Sequence, residues 1–265
     1  MTPLRPFVRE AGSGPGVVCL HANASSSVQW RALMEALAGR FHVLAADAFG
    51  SGQSPAWPAD RPLTLHVEVD LLEPVFARAG DPHVLVGHSY GAAVALIAAL
   101  AQPRRIRGLA LYEPVLFGLV DAESQPPNEA DGIRGAVVGA TAALDAGDPA
   151  GAAERFIDFW MGRGAWAGMP DSRKRPIAAS IVNIRQWAAA LLNEPTPLSA
   201  FSGLQVPVLF MTGSESRAPA RAVARLLSGV LPQIEAIEFS GVGHMGPVTH
   251  TEIVNDVIVR FLERC

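Results

Sequence analysis

Apolar or alternating runs at 17–20, 42–46, 83–86, 108–112, 208–211 and 235–239 punctuate the chain and read as strands. Between them the apolar residues fall at helical spacing. Trp30, Leu33, Met34 and Leu37 share one face of a helix over 28–38, and Leu65, Val69, Leu72 and Phe76 repeat the pattern. Residues 92–101, 220–227 and 252–262 complete the helical set. Strands alternating with helices in this way predict an α/β fold, a mostly parallel, doubly wound sheet with helices on both faces.

One region breaks that rhythm. From 115 to 200 there is no strand pattern, only helical stretches interrupted by Pro126, Pro127, Pro149, Pro170 and Pro195. Phe117, Trp160, Trp166 and Trp187 lie in this region, which also holds Phe156 and Phe159. A helical insertion over the ends of a parallel sheet reads as a cap, with its aromatics roofing a pocket. The competing role for each aromatic is packing inside the cap itself. The expected organisation is a core of 1–114 and 201–265 with a helical cap of 115–200.

Composition narrows the class. The chain has 265 residues, enough for one sizeable domain with an insertion, and its 49% hydrophobic residues supply a large core. A net charge of −4 argues against a polyanion-binding surface, so neither nucleic acid nor an anionic membrane is expected as a partner. The expected partner is a small-molecule substrate, met by a monomer or small homo-oligomer. The first residues carry no apolar core of signal-peptide length, and no run reaches the roughly 18 uncharged residues of a spanning helix, so a cytoplasmic location is expected. Cys19 falls in an apolar run and Cys265 ends the chain. They offer neither metal-ligand spacing nor a disulfide framework, and no metal or cofactor is expected.

The chemistry centres on Gly87-His88-Ser89-Tyr90-Gly91, which fits G-x-S-x-G. In this nucleophile elbow a serine sits on a strained strand-to-helix turn. The apolar run before it and the Ala- and Leu-rich stretch after it supply the required context. A serine hydroxyl is a weak nucleophile at neutral pH and needs an adjacent base. His244, in the glycine-rich stretch Gly241-Val242-Gly243-His244-Met245 between the last strand and the last helix, is the best placed histidine. Met245 beside it is a further candidate for the pocket.

At this point the chain resembles a capped α/β-hydrolase, and the likeness runs through nearly its whole length. The segment Asp47-Ala48-Phe49-Gly50-Ser51-Gly52-Gln53-Ser54 is similar to the family's D-x-x-G-x-G-x-S turn, where the Asp is structural. The loop His21-Ala22-Asn23-Ala24-Ser25-Ser26-Ser27-Val28-Gln29-Trp30-Arg31 resembles the H-G-N-P-x-S-S-x-x-W-R loop of haloalkane dehalogenases. The resemblance implies that Ser89 is the nucleophile, His244 the general base, and the backbone N–H groups of Asn23 and Tyr90 the oxyanion donors. In the family the side chain at the His88 position points away from the site, and the His21 position braces its loop.

The acid departs from the pattern. Most relatives carry an Asp about three residues after the glycine of the strand that here is 208–211; this chain has Ser216 there. Glu113, at the end of the strand 108–112, and Glu215, one residue early, are the two candidates. In one dehalogenase subgroup a glutamate acid lies where Glu113 lies, which makes Glu113 the preferred reading and Glu215 the alternative. Those enzymes attack with an Asp. A serine at the elbow points instead to acyl chemistry on an ester, lactone or thioester with an apolar portion. Two alternatives stand beside it. One is a carbon–carbon bond hydrolase of ring-fission products, with Arg163, Arg173, Arg175 or Arg185 meeting the substrate carboxylate. The other is a low-turnover ligand sensor on the same scaffold.

Overall fold

The computed structural model describes residues 4–58 and 60–265. Seven strands form a single sheet: β1 (Val8–Ala11), β2 (Gly16–Leu20), β3 (His42–Ala46), β4 (His83–His88), β5 (Ile106–Tyr112), β6 (Val208–Gly213) and β7 (Ile234–Phe239). Their order is β1-β3-β2-β4-β5-β6-β7, with β1 antiparallel to β3 and every other pair parallel. β1 is absent from the hydrophobic pattern. It is a half-buried edge strand whose centre is Arg9-Glu10, so its sequence carries no clean alternation.

The central strands alternate between two packed layers, as side chains on a strand must. Val17, Cys19, Val84 and Val86 join the cluster that includes Leu33, Leu37, Val254 and Ile258, from α1 (Arg31–Leu37) and α11 (Thr251–Leu262). Val18, Leu20 and Leu85 face the opposite way. They join the cluster built on α2 (Leu65–Ala79), α3 (Tyr90–Ala101) and α9 (Ala218–Ser228). α3 is buried at ten of its twelve positions, which explains why its sequence is nearly continuous Ala, Val, Leu and Ile instead of a stripe. The expected helix over 28–38 begins as a 3-10 turn, Ser27–Trp30, before α1.

Between β5 and β6 the chain forms α4 (Gly118–Glu123), α5 (Asp131–Asp145), α6 (Pro149–Met161), α7 (Asp171–Ser180) and α8 (Ile184–Leu192), with no strand. Phe117, Ile133, Phe156, Trp160, Ile184 and Trp187 from this helical segment belong to the α2–α3 cluster, so these helices share one apolar interior with the sheet layer. A short α10 (Gly246–Thr249) precedes α11. The strand order reverses between β2 and β4. The loops leaving those two strands therefore part company at the sheet's carboxyl edge and leave a crevice there. Among the described residues no helix is long and apolar enough to cross a membrane.

Candidate active site

Ser89 follows β4 directly and caps α3, with φ 55° and ψ −113°. A non-glycine residue with positive φ is uncommon and costs on the order of 1–3 kcal/mol. The surroundings hold it there. Its N–H donates to the Tyr112 carbonyl on the neighbouring strand at 2.9 Å, and the Gly91 N–H donates to the His21 carbonyl at 3.1 Å. The two glycines of the motif are forced by packing: a Cβ at Gly87 would meet Cα of Ala92 at 2.5 Å, and one at Gly91 would meet the Leu20 carbonyl oxygen at 2.3 Å.

From Ser89 a continuous chain of polar contacts runs inward. Ser89 Oγ lies 2.9 Å from Nε2 of His244, and Nδ1 of the same ring lies 2.6 Å from Oε2 of Glu113. The three residues are 6%, 2% and 1% exposed, so water does not compete for these contacts. Oε1 of Glu113 accepts from the Gly213 N–H at 2.8 Å and from Ser216 Oγ at 2.5 Å. Glu113 itself has φ 44°, which turns the chain out of β5 and aims its carboxylate at the end of β6. Of the two candidate acids, then, the fold brings Glu113 to the histidine. Glu215 is exposed and tied only through its backbone N–H, to Val242. It does not reach His244, because Gly213 and Ser216 close around the Glu113 carboxylate instead.

The histidine loop is braced from behind. Burial holds the pKa of His88 well below its ordinary value, with the nearby His244 ring adding to the effect. As a neutral ring, His88 donates from Nε2 to the His244 carbonyl at 2.8 Å and accepts at Nδ1 from Gln29 at 3.1 Å. Tyr112 donates its hydroxyl to the Gly243 carbonyl at 2.8 Å. His21, also held neutral by burial, donates to the Ala22 carbonyl and accepts from the Ala48 N–H. Asp47 is structural, accepting from the N–H groups of Ser27 and Gln53. Position 216 had stood out in the sequence only as a missing Asp. The family likeness pointed the His88 side chain away from the site, but nothing in the sequence gave the bracing roles of His88, Gln29 and Tyr112.

Above these contacts lies a cavity of about 600 Å³ lined by Asn23, Ser89, His244 and Met245 and, from the segment between β5 and β6, by Phe117, Trp160 and Trp187. Trp166 was expected here and is not part of the lining. Its backbone N–H is bound by the Asp158 carboxylate and its ring lies near Lys174, so it packs in the α6–α7 connection. Trp160 does more than line the wall. Its indole stacks on the His244 imidazole with centroids 3.9 Å apart and an interplanar angle of 27°. The N–H groups of Asn23 and Tyr90 have no acceptor among the described residues. Beneath Tyr90 sits an unexpected group: Glu68 is fully buried, accepting from the Tyr90 hydroxyl and the Phe49 N–H, and burial pushes its carboxyl up to about 7. No group of three or more His, Cys, Asp or Glu among the described residues has the arrangement of a metal site.

A family model described as the alpha/beta hydrolase fold matches residues 15–251. Over 118 residues, 44% of this chain and 38% of the relative, the sequence is 36% identical to a haloalkane dehalogenase of Agrobacterium fabrum. It is 26% identical to a 2-(acetamidomethylene)succinate hydrolase of Mesorhizobium japonicum, over 97% of this chain and 91% of that one. A thermophilic esterase of Thermogutta terrifontis superposes with a TM-score of 0.76 at 21% identity, covering 100% of this chain and 96% of the esterase. The chain belongs to the alpha/beta hydrolase family.

Proposed function

We propose that this alpha/beta hydrolase cleaves an ester, lactone or thioester of a small acyl group with an apolar portion, through an acyl intermediate on Ser89. One observation carries the reading: an unbroken Ser89–His244–Glu113 contact chain opens onto a largely apolar cavity. On this reading Ser89 Oγ attacks the acyl carbon while its proton passes to Nε2 of His244. Nδ1–H of His244 donates to Glu113, which fixes the tautomer and stabilises the imidazolium. The carbonyl oxygen, now an anion, is met by the N–H groups of Tyr90 and Asn23, each worth on the order of 3 kcal/mol of barrier in comparable sites. Collapse breaks the bond to the leaving group, which takes the proton from Nε2. A water then attacks the acyl-serine, gives its proton to His244, and releases the acid and free Ser89.

The cap contributes to the chemistry as well as to the roof. An indole face on the imidazole attracts the ring more strongly once it is protonated, by about 0.5–2 kcal/mol. In this reading residues 115–200 act as a cap over a core of 1–114 and 201–265. The chemistry needs no cofactor.

Labelling with a fluorophosphonate probe, mapped by mass spectrometry, tests the proposal without a guess at substrate. The expected adduct is on Ser89 and is lost in His244→Ala. A probe that enters the cavity and leaves Ser89 unmodified overturns it. The carbon–carbon hydrolase reading rests on Arg173, which of the four arginines named for it is the one lining the cavity; Arg185 is paired with Asp145. Turnover of dienoate ring-fission products with none of simple esters would put that reading first.

A further inference from the structure

The walls of the cavity carry charge of one sign only. Among the described residues no Asp or Glu lines it, although the chain has 25 acidic residues and a net charge of −4. The two formal charges in the lining are Arg31 and Arg173. They come from opposite walls, Arg31 opening α1 on the core side and Arg173 on α7 of the cap, and both are exposed. Neither guanidinium makes a hydrogen bond or ion pair among the described residues. Arg40, Arg78, Arg105, Arg134, Arg185, Arg225 and Arg264 each pair with a carboxylate. Asp171, at the start of α7, is outside the lining.

The cavity also has a direction. Its exposed lining includes Val28, Arg31, Ser172 and Arg173, while Phe117, Ile133, Ile184 and Trp187 are buried and apolar. A ligand that fills it meets water and positive charge on the exposed part of the lining and mostly hydrocarbon on the buried part, where the Trp187 indole N–H has no partner among the described residues. In acyl transfer the leaving group departs first, while the acyl group stays on the serine. The leaving group must therefore take the open end and the acyl chain the closed one.

Building on the Ser89 reading above, we propose that the substrate is an apolar acyl chain joined by an ester or thioester bond to an anionic leaving group, with Arg31 and Arg173 receiving the anion at the rim. The chemistry is that of a phosphate- or carboxylate-bearing alcohol or thiol, free or attached to a carrier. Guanidinium groups suit it, since their forked donors match phosphate and carboxylate oxygens. Exposed charges of this kind contribute modestly to binding and are screened by salt.

Two substrate pairs that differ only in the anion test this. Octanoyl esters of glycerol and of glycerol 3-phosphate probe a short reach. Octanoyl thioesters of pantetheine and of 4′-phosphopantetheine, the latter free or on a carrier protein, probe a long one. The readout is the ratio of kcat/KM, anionic over neutral, within each pair. At low ionic strength at least one pair is expected to show a ratio of roughly ten, shrinking as salt is added. In Arg31→Glu/Arg173→Glu the ratio falls to one or below. In Arg104→Glu, an exposed arginine outside the cavity, it is retained. Ratios near one in both pairs, or a preference that survives the double charge reversal, overturn the proposal. The Ser89 reading fails separately, if hydrolysis of the neutral members persists in Ser89→Ala.

Discussion

The carboxyl ends of β5 and β6 lie side by side, with Tyr112 paired to Met211, and between them they build the carboxylate site beside His244. β6 ends in Gly213 and reaches Ser216; β5 ends in Glu113. On the proposed reading the acid stands one strand across, and its carboxylate lies beside His244 with Gly213 and Ser216 donating to it from the end of β6. The geometry that matters is the point in space beside Nδ1. Either strand end reaches it, provided the other end supplies donors. The cost on the β5 side is backbone strain: Glu113 sits at φ 44° immediately before Pro114, a position already restricted by the proline ring.

Breaking the β5 side gives the largest expected effect. Glu113→Gln keeps the shape but removes the charge that stabilises the imidazolium, and kcat is expected to fall by about 10³–10⁴. Steady-state ester hydrolysis checks it, and a loss of less than about tenfold would remove Glu113 from the role. Moving the acid back is the next step. Adding Ser216→Asp to Glu113→Gln should return kcat by about tenfold or more, since the new carboxylate starts from the β6 end. No recovery would mean that the two strand ends are not interchangeable.

Glu68 supplies the contrast of a buried carboxyl that hydrogen-bonds to no histidine among the described residues. Its carboxyl titrates near 7 in the folded protein against an ordinary 4.5, so the unfolded chain ionises first as pH rises. The folded state then loses stability from about 4.5 upward, levelling off above 7 at a cost of about 3 kcal/mol. Glu68→Gln should flatten the difference between urea midpoints measured near about pH 5 and about pH 8. An unchanged difference would show that burial of Glu68 is not the cause.

Two smaller effects test the β6 side directly. Ser216→Ala removes one donor to a buried carboxylate and is expected to lower kcat/KM by about tenfold, with about 1–2 kcal/mol lost in stability by denaturant unfolding. Glu215→Gln is expected to leave kcat/KM within about twofold, because an exposed side chain off the contact chain contributes little. A larger drop than in Ser216→Ala would reverse the assignment of the two glutamates.

Much of this was legible along the chain because it depends on local rules. Apolar runs and helical spacing marked six of the seven strands and the main core helices. They missed β1, where Arg9-Glu10 interrupts the alternation at a half-buried edge. Gly87 and Gly91 flank the serine in a short motif read directly from the sequence, so Ser89 was readable as a nucleophile candidate, although the carbonyl that forbids a side chain at Gly91 belongs to the distant Leu20. Trp166 and Trp160 looked alike in the sequence. One packs in a loop and the other stacks on His244, because the facing of a cap helix depends on what it is packed against.

By itself the sequence determined the layered α/β architecture, the elbow, the histidine loop and the existence of an all-helical insertion, since periodicity and turn chemistry are encoded residue by residue. Only the tertiary structure brought Glu113 and not Glu215 to His244, made Ser216 a donor, set His88 behind the histidine loop and placed Arg31 and Arg173 in the lining of one cavity. Those contacts join residues mostly tens to more than a hundred positions apart. No local preference records such pairings: they exist once the sheet has fixed which strand ends are neighbours.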